Sequence, residues 1–349
     1  MGFIDENGNS LINEEQKIRL TFSQRAKITI SEDMAIFGVA KESTFINTVF
    51  YNYSPEAKSS IYSYLEEYEN TLKDLFSEAK LDDISKKIVI DKLLSVEKQK
   101  IKEEISNNIE TKGITKLYHI NDENIEYLSD CCENEYYSQP SKYIRSVIEE
   151  YCKLPFIKRQ RIFRKDIYDI IERACNEKRI LKIKSPYLNK GEFFYVYPYK
   201  IVPDPLHMQS YLVCYSRKNT DDEKEKRLAS FSMTRVNRPT ILSRTFHFTK
   251  EEKKYIENQL SINSPAYFVG NLKTIKVKLT ERGKQYYNSR IHSRPEKKEI
   301  VGDIYIFECT EQQILNYFFS FEADAEIISP ESLRNRFKET YEKGLKIYI

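Results

Sequence analysis

The stretch 193–238 constrains the fold more than any other part of this chain, because it holds three consecutive segments rich in aromatic and β-branched residues. Polar loops containing Pro, Asn, Asp and Lys separate the segments 193–202, 211–217 and 227–236. Aromatic and β-branched residues favour strands, and the turn-forming residues between them favour chain reversals. The run 180–185 supplies a fourth segment of the same kind. The sequence therefore predicts a small antiparallel β-barrel here.

Composition and charge bound the remaining possibilities. At 349 residues the chain is long enough for two or three domains. It contains no run of ~18 apolar residues of the kind that crosses a membrane, and its first residues lack the apolar core of a signal peptide. We therefore expect a cytoplasmic protein without membrane association. The net charge is only +3, so a nucleic-acid surface would have to come from local clustering of cations.

Motifs for catalysis and metal binding are missing from the sequence. The chain has 9 Gly, none clustered as a phosphate-binding loop requires, and its 6 Cys lack the spacing of a zinc site. The acidic run 221–223 lies between two predicted strands and is typical of a solvated turn rather than of a nuclease site. We therefore expect no catalytic residue, no metal and no cofactor, and a protein that is not an enzyme.

The N-terminal part predicts one strand and two helices. Residues 17–22 alternate polar and apolar side chains, as a half-buried strand does. Ser23 is a suitable N-cap for a helix that ends at Gly38, and Ser43 is the predicted N-cap of a second helix that reaches Tyr53. This order resembles a ribbon-helix-helix unit, in which two such strands pair and the two-stranded ribbon enters the DNA major groove.

A diverged copy of this unit follows 98 positions later in the same chain. The offset aligns the cap positions Ser23 with Asn121 and Ser43 with Ser141. The aligned apolar pairs are Phe22 and Ile120, Ile30 and Leu128, Phe45 and Tyr143, Ile46 and Ile144, Val49 and Val147, and Tyr53 and Tyr151. Two caps and a helical stripe in one register indicate an internal repeat. We predict ribbon-helix-helix copies at 1–54 and 114–157, with a helical insert at 55–113.

The two predicted strands differ in the side chains that they present outward. The outward positions are Lys17, Arg19 and Thr21 on the first strand and Thr115, Leu117 and His119 on the second, with Lys116 turned the other way. Lys and Arg suit phosphates and guanine edges, whereas Leu does not. We predict that duplex DNA contacts Lys17, Arg19 and Thr21. The alternative is a solvated edge strand.

A basic cluster follows the second copy. Its cations are interleaved with apolar residues and are Lys158, Arg159, Arg161 and Arg164. A cationic helix with an apolar stripe can lie along a phosphate backbone, so we predict a nucleic-acid-binding linker helix over 158–179. The alternative is a solvated domain junction, because the acidic residues Asp166, Asp169 and Glu172 follow closely.

Three short segments of the predicted barrel carry a resemblance to a known family. Pro198-Tyr199, Ser210-Tyr211-Leu212-Val213 and Phe231-Ser232-Met233-Thr234-Arg235-Val236 resemble the signature segments of the WYL domain, a bacterial Sm-like barrel that binds nucleic-acid ligands in regulators. The sequence departs from the family at Ser210, where Trp is usual, and at Ser232, where Arg is common. The resemblance implies an Sm-like WYL barrel over 180–245.

The candidate ligand residues of the barrel are aromatic and cationic. By the resemblance, Tyr211 and Arg235 occupy signature positions, and the nearby cations are Lys200, Arg217 and Arg227. In an unbroken strand over 227–236, Arg227 and Arg235 would share one face. A ring beside a guanidinium suits single-stranded nucleic acid, because bases stack on the ring while the guanidinium binds a phosphate. The alternative is that Tyr211 packs inside the barrel and Arg235 pairs with a carboxylate.

Residues 246–349 form the C-terminal part. Their strand and helix patterns follow a β-α-β-β-α-β-like order, which favours a ferredoxin-like domain. The segment 319–334 resembles the C-terminal extension that follows WYL domains, although Glu322 stands where Gly is usual. In that family the extension helps dimerisation and can add basic residues to the ligand site. The resemblance therefore implies a homodimer and makes Arg334 and Arg336 further candidates.

The whole arrangement predicts an α+β, multidomain protein: tandem ribbon-helix-helix copies, an Sm-like WYL barrel and a ferredoxin-like extension. This combination, with the run 208–214, is similar to the WYL accessory proteins encoded beside type VI-D CRISPR effectors. The resemblance implies that the chain binds single-stranded RNA and acts on a CRISPR effector nuclease. Two other hypotheses stay open. One is a ligand-responsive WYL transcription regulator of bacterial or phage genes, and the other is a protein-interaction scaffold that uses the surface of its 26 Tyr.

Overall fold

Helices and three separate sheets make up the part of the chain that the structure describes, so the prediction of a mixed α+β fold is confirmed. This computed structural model describes residues 16–78, 81–107, 113–132, 140–184, 191–268 and 272–348. Each of the six predicted domains except 158–179 includes some residues outside these ranges. The chain divides into two units, Met1–Phe163 and Arg164–Ile349. Within the described ranges, every helix is too short or too polar to cross a membrane.

The first unit combines a two-stranded ribbon with packed helices. Its elements are β1 (Lys17–Phe22), α1 (Gln24–Phe37), α2 (Glu42–Ser77), α3 (Asp83–Asn107), β2 (Ile114–His119), α4 (Asp122–Cys132), α5 (Pro140–Lys153) and α6 (Phe156–Phe163). Ser23 caps α1, since its hydroxyl accepts from the Ala26 amide, and Gly38 ends the helix in the left-handed region with φ 70°.

The internal repeat of 98 residues has a structural counterpart in this unit. Strands β1 and β2 pair antiparallel, and Arg19 lies opposite Leu117, the residue that the offset makes equivalent to it. Helices α1 and α4 begin at Gln24 and Asp122, again 98 positions apart, and so do α2 and α5 at positions 42 and 140. The two β-α-α segments are therefore related by an approximate two-fold axis through the ribbon.

The aligned apolar residues form one shared core. Every residue of the six aligned pairs is buried and belongs to a single hydrophobic cluster. Aromatic rings cross between the two copies: Phe50 meets Tyr143 edge-on at 5.4 Å, and Phe45 meets Tyr151 at 5.9 Å. Burial of each large side chain contributes about 1.5–3 kcal/mol, so the stability of this unit depends on the pairing of its two halves.

Two helix boundaries differ from the sequence prediction. Helix α2 begins at Glu42 after Lys41, so Ser43 lies inside its first turn and is not the N-cap. The helix also continues through Pro55 to Ser77 instead of ending near Tyr53. A proline inside a helix costs ~3 kcal/mol, and the burial of side chains beyond it offsets that cost. Those buried side chains are Ala57, Leu65 and Leu72.

The predicted basic helix over 158–179 is also two helices. Helix α6 ends at Phe163, and α7 (Lys165–Glu177) begins after Arg164, whose φ and ψ of −104° and 29° are not helical. Phe163 stacks on Phe37 at 4.5 Å in the core of the first unit. Ile167 and Tyr168 belong to a core of the second unit. The predicted helix breaks at Arg164 because the residues before it pack against the core of the first unit and the residues after it pack in a core of the second.

The first part of the second unit is a five-stranded sheet between two apolar clusters. Its strands are β3 (Arg179–Lys184), β4 (Phe194–Asp204), β5 (Gln209–Lys218), β6 (Arg227–Ser232) and β7 (Asn237–Thr245), in the antiparallel order β6-β5-β4-β3-β7. Helix α7 packs on the cluster that contains Leu212 and Cys214. Helix α8 (Lys250–Ile262) packs on the cluster that contains Val213 and Tyr215. This alternation along β5 buries both faces of the strand.

The second part of this unit is a four-stranded antiparallel sheet with helices. Its elements are β8 (Lys273–Leu279), α9 (Glu281–Ser289), β9 (Lys297–Val301), β10 (Ile304–Cys309), α10 (Glu311–Phe318), β11 (Ala325–Ser329) and α11 (Glu331–Leu345). The strand order is β11-β8-β10-β9. Alternate residues of β8 and β10 are buried in one core with Phe318 and Phe337, so one face of the sheet carries the helices.

Candidate nucleic-acid interface

The outward face of the ribbon carries the predicted cations. The six outward residues, paired across the ribbon, are Lys17 with His119, Arg19 with Leu117, and Thr21 with Thr115. The hydroxyls of Thr21 and Thr115 lie 2.9 Å apart. Lys116 is turned to the other face, where its Nζ lies 3.1 Å from Oε2 of Glu42. The face thus has two cations on one strand and an exposed leucine on the other, as the alternation predicts.

A cavity of about 730 Å³ adjoins the ribbon between β2 and the beginning of α2. Asn47 of α2 joins the two sides of the cavity. Its Nδ2 donates to the His119 carbonyl at 2.8 Å, and its Oδ1 accepts from the Asn121 amide at 3.0 Å. The start of a helix favours anions, since its first amide groups point outward. The sequence analysis missed this cavity because its walls are more than 70 positions apart in the chain.

Arg159 of the basic cluster is a structural residue. Its Nε and Nη2 donate to the two carboxylate oxygens of Asp33 at 2.8 and 3.0 Å, and its Nη1 donates to the Leu154 carbonyl at 2.7 Å. The Asp33 side chain is 0% exposed and also accepts from the Tyr151 hydroxyl at 2.7 Å. The prediction that Arg159 contacts nucleic acid is corrected, because its guanidinium neutralises a buried carboxylate.

The other three cations of the cluster differ in their surroundings. Lys158 and Arg161 are exposed on α6. Arg164 belongs to the second unit, where its Nη1 donates to the Val236 carbonyl at 2.6 Å. Burial lowers the pKa of the Arg164 guanidinium. Lys158 and Arg161 therefore remain candidates for phosphate contact. Arg164 instead holds Val236, the last residue of the WYL-like segment 231–236, in place.

Tyr211 lies inside the sheet structure and not on its surface. Its side chain is 7% exposed, and its hydroxyl accepts from Gln209 Nε2 at 2.6 Å. Burial raises the pKa of this hydroxyl to about 12. A nucleobase cannot stack on a ring covered in this way, so the prediction of a stacking surface at Tyr211 is corrected. The packing alternative for this residue is the one that the structure supports.

Arg217 and Lys200 are engaged within the protein. Arg217 is buried, its Nη1 donates to the Asp221 carbonyl at 2.9 Å, and its guanidinium lies over the Tyr195 ring at 4.5 Å. Lys200 is exposed, and its Nζ lies 2.9 Å from Glu257 Oε1. Arg217 thus closes the tip of the β5–β6 connection, and only Lys200 of this pair is accessible to a ligand.

Arg235 lies in a turn, because β6 ends at Ser232 instead of continuing to position 236. The correction to the predicted strand means that Arg227 and Arg235 do not share a strand face. The Met233 amide donates to the Ser210 carbonyl at 2.9 Å, which docks the turn on β5. The Arg235 side chain is exposed, while Thr234 Oγ1 lies 3.4 Å from Oε1 of Gln209.

His207 belongs to a network between two loops. Its Nδ1 lies 2.7 Å from Asp204 Oδ2, and its Nε2 lies 3.0 Å from Tyr267 Oη and 3.3 Å from Ser293 Oγ. His292 Nε2 lies 2.9 Å from the Leu206 carbonyl. The Asp-His-Ser order resembles a hydrolase triad in its distances alone. Tyr267, in the segment after α8, has its hydroxyl nearer to Nε2 than Ser293 does, so the network ties the loop after β4 both to that segment and, through His292 and Ser293, to the loop after α9.

A row of arginines and rings along α9 and at its C-terminal end is a candidate surface that the sequence analysis missed. The guanidinium of Arg290 lies 4.6 Å from the Tyr286 ring and 5.4 Å from the Phe321 ring. Arg282 Nε donates to the Tyr286 hydroxyl at 2.7 Å. Both arginines are exposed. The spacing of four residues between Arg282, Tyr286 and Arg290 was a signal that could have revealed one helix face.

The loop network brings this row close to the WYL-like signature. We name this set of exposed side chains the barrel-end surface, after the barrel that the sequence predicts: Leu206, Met208, Arg235, Arg290 and Ile291. Met208 and Ile291 are 61% and 73% exposed. Met208 precedes Gln209, which contacts the turn that bears Arg235, and Ile291 precedes His292, which binds the loop of Leu206. Exposed apolar side chains and guanidinium groups on joined segments suit unpaired bases and their phosphates.

The two arginines predicted in the extension are held by their own domain. Arg334 Nη1 donates to the Ile327 carbonyl at 2.7 Å, and its Nη2 lies 2.8 Å from Glu326 Oε1. Arg336 Nη2 donates to Gln312 Oε1 at 3.2 Å. The barrel-end surface does not include these residues.

Comparisons with known proteins show a shared fold. No family model matches the chain, and no curated protein matches it. A crystal structure described as that of a CRISPR Cas-related protein matches with a TM-score of 0.72 and 21% identity, covering 99% of this chain and 97% of that one. The proteasome accessory factor B/C (PafBC) of Arthrobacter aurescens gives a TM-score of 0.29 at 13% identity, over 64% of this chain and 35% of its own. The first match shows that the fold is shared along nearly the whole length.

Proposed function

We propose that this chain is a non-enzymatic, nucleic-acid-binding regulatory protein that acts as a CRISPR-associated accessory modulator. Its ligand is a single strand, with RNA favoured, and its binding site is the barrel-end surface. The single observation that carries this proposal is that hydrogen bonds join the three segments that bear exposed Arg235, Met208 and Ile291, with exposed Arg290 next to Ile291 in the chain. Unpaired bases offer flat apolar faces, and their phosphates favour guanidinium groups.

The proposed domains are those that the sequence resemblance implies. The antiparallel ribbon inside one pseudo-symmetric unit supports a tandem ribbon-helix-helix module. The five-stranded antiparallel sheet supports a WYL-type Sm-like barrel, and the strand order β11-β8-β10-β9 supports a ferredoxin-like extension with split β-α-β units. A solved structure with the same fold is described as CRISPR Cas-related, which supports the CRISPR association. The type VI-D assignment and an effector nuclease as partner rest on the sequence resemblance.

The ribbon favours a second candidate function, that of a WYL transcription regulator that binds duplex DNA. Lys17, Arg19 and Thr21 lie together on the outward face of a ribbon, the element that enters the major groove in ribbon-helix-helix proteins. Leu117 stands where a symmetric ribbon would repeat Arg19. We therefore expect weaker duplex binding than two equivalent strands would give.

A homodimer formed through the extension is part of the proposal. Strand β9 lies at the edge of the four-stranded sheet, and its Ile300 and Val301 are exposed. An edge strand has backbone groups available for pairing with a strand of a second copy. The resemblance to WYL extensions supports the same assignment.

The proposed function is tested by titrating one labelled single-stranded RNA and one duplex DNA at two salt concentrations. We expect the double variant Arg235→Ala with Arg290→Ala to weaken RNA binding by about 10-fold or more, because hydrogen bonds to charged groups contribute ~1.5–3 kcal/mol each. The slope of log affinity against log salt should fall by about 1.4 for two lost phosphate contacts. Arg244→Ala, which removes an exposed arginine of β7, is the matched control.

Each result separates the candidate functions. Unchanged RNA affinity and an unchanged salt slope in the double variant would refute the barrel-end surface. Duplex binding that falls in Lys17→Ala with Arg19→Ala, while RNA binding persists, would support the ribbon as a DNA reader. If the unaltered protein binds neither RNA nor duplex DNA, the nucleic-acid function is wrong and the scaffold hypothesis gains support.

A further inference from the structure

The second unit contains a further cavity of about 350 Å³ that shares no residue with the barrel-end surface. Strands β5 and β6, helix α8, and residues close to β8 and β10 line it. Six of the lining residues carry the argument: Tyr215, Arg227, Leu228, Tyr255, Gln259 and Phe268. Three of the six are aromatic and two carry polar groups at the ends of long side chains. This composition differs from that of a packing defect lined only by aliphatic groups.

The inner walls of the cavity are fixed by the hydrophobic core. Tyr215 and Leu228 face each other across the β5–β6 ladder. Tyr215 and Phe268 are buried in the same cluster as Ile256 of α8. Tyr255, one position before Ile256, is exposed, so it stands on the accessible side of this wall. The rings therefore keep their positions through contacts within the protein, and the cavity is largely preformed for a ligand.

The polar groups of the cavity suit the edge of a heterocycle. Gln259 offers an amide with donors and an acceptor, and Asn263 Nδ2 donates to its Oε1 at 3.1 Å. That contact orients the amide. The Tyr215 hydroxyl, like any tyrosine hydroxyl at neutral pH, is protonated and able to donate. Arg227 is exposed and lines the cavity, which gives the site a cationic residue.

We propose that this cavity binds one nucleobase, stacked on the exposed ring of Tyr255 and hydrogen-bonded at its edge by Gln259, with the buried rings of Tyr215 and Phe268 as the apolar wall that its edge contacts. Known ligand sites span ~300–1,000 Å³, so a cavity of about 350 Å³ accepts a single nucleotide and excludes an oligonucleotide. The base has two possible sources, a free mononucleotide or a nucleotide extruded from the bound strand. The second source rests on the proposed function, whereas the first does not.

The experiment uses the absence of tryptophan from the sequence. Because the chain contains no Trp, Tyr255→Trp introduces a single indole whose fluorescence reports on the cavity alone. We titrate the full chain with AMP, GMP, CMP and UMP in separate arms, and with a single-stranded RNA in a further arm. A stacked base should quench the indole in a saturable manner. Tyr348→Trp, at a tyrosine that is 89% exposed, is the matched control and should show no saturable change.

A second variant tests the role of the amide. Gln259→Leu in the Tyr255→Trp background should weaken nucleotide binding by about 3–10-fold and reduce the differences between the four nucleotides, because it removes the edge hydrogen bonds. Since Tyr255→Trp alters a wall, saturation-transfer nuclear magnetic resonance on the unaltered protein provides a measurement without that change. Contact between base protons and the unaltered protein that disappears in Tyr255→Ala supports the site.

The outcomes separate this inference from the proposed function. Quenching by mononucleotides assigns the site to a free nucleotide, and quenching by RNA alone assigns it to a base of the strand. The cavity inference is wrong if labelled RNA binds the Tyr255→Trp variant without quenching the indole, no mononucleotide quenches it, and neither ligand shows saturation transfer. The proposed function would stand in that case. If RNA does not bind at all, the mononucleotide arms still decide the cavity.

Discussion

Arg159→Ala removes the guanidinium that neutralises a buried carboxylate in the first unit. Asp33, whose side chain is 0% exposed in the unaltered protein, would lose two hydrogen bonds, at 2.8 and 3.0 Å. Loss of one partner from a buried ion pair costs about 3–5 kcal/mol, because the remaining charge has no compensation. A cation that served only as a surface contact would change stability by about 0.5 kcal/mol or less when replaced. The two interpretations of Arg159 therefore differ by several kcal/mol.

The assay is urea unfolding of the full chain followed by far-ultraviolet circular dichroism. Lys158→Ala is the matched control, since it removes an exposed cation from the adjacent position of α6. Asp33→Leu with Arg159→Met should recover part of the lost stability, because no charge is then left unpaired in the core, while the buried Tyr151 hydroxyl loses its acceptor. If Arg159→Ala shifts the unfolding free energy no more than Lys158→Ala does, the assignment of Arg159 as a structural residue is refuted.

Three further predictions concern the second unit. Gly283→Ala should destabilise this unit by about 1–3 kcal/mol, because the added Cβ would lie 2.2 Å from the Asp324 carbonyl oxygen. Gly344→Ala is the control and should cost no stability, since nothing lies within 4 Å of its Cβ position. Chemical denaturation of the two variants compares their free energies of unfolding. The free energy of unfolding should fall as the pH rises from ~10 to about 12, because the pKa of Tyr211 is about 12 in the folded protein and ~10 in the unfolded chain. Urea midpoints measured across this range should depend less on pH in Tyr211→Phe than in the unaltered protein. Val301→Lys at the edge strand should shift sedimentation toward monomer, and a protein that is already monomeric at micromolar concentration would rule out the proposed homodimer.

The repeat is the part of the fold that the sequence predicts best. The period of 98 residues can be recognised in the sequence because matching apolar positions and caps recur at one offset. Each of these positions is set by the local geometry of a helix or a strand. The pairing of Arg19 with Leu117 follows from the same offset. The end of α2 could not be predicted in this way, because the side chains after Pro55 become favourable only when other elements bury them.

The residues of the candidate site could not be predicted from the sequence, because their partners lie far away in the chain. Arg159 and Lys158 are adjacent and equally cationic in the sequence, yet only Arg159 meets Asp33, which lies 126 positions away. Arg290 and Arg235 are far apart in the chain, and the loop network between His292 and Leu206 brings their segments together.

The sequence by itself determined that 17–22 becomes a strand and that Ser23 caps the helix after it, which side of the ribbon carries Lys17 and Arg19, and that the first unit is built from two related halves. Each of these follows from spacing along the chain, because the periods of strand and helix fix which side chains share a face. Only the tertiary structure decided that Tyr211 and Arg217 are covered and that Arg235 and Arg290 are exposed. Accessibility to a ligand depends on what distant segments place above a side chain, and local spacing does not record that.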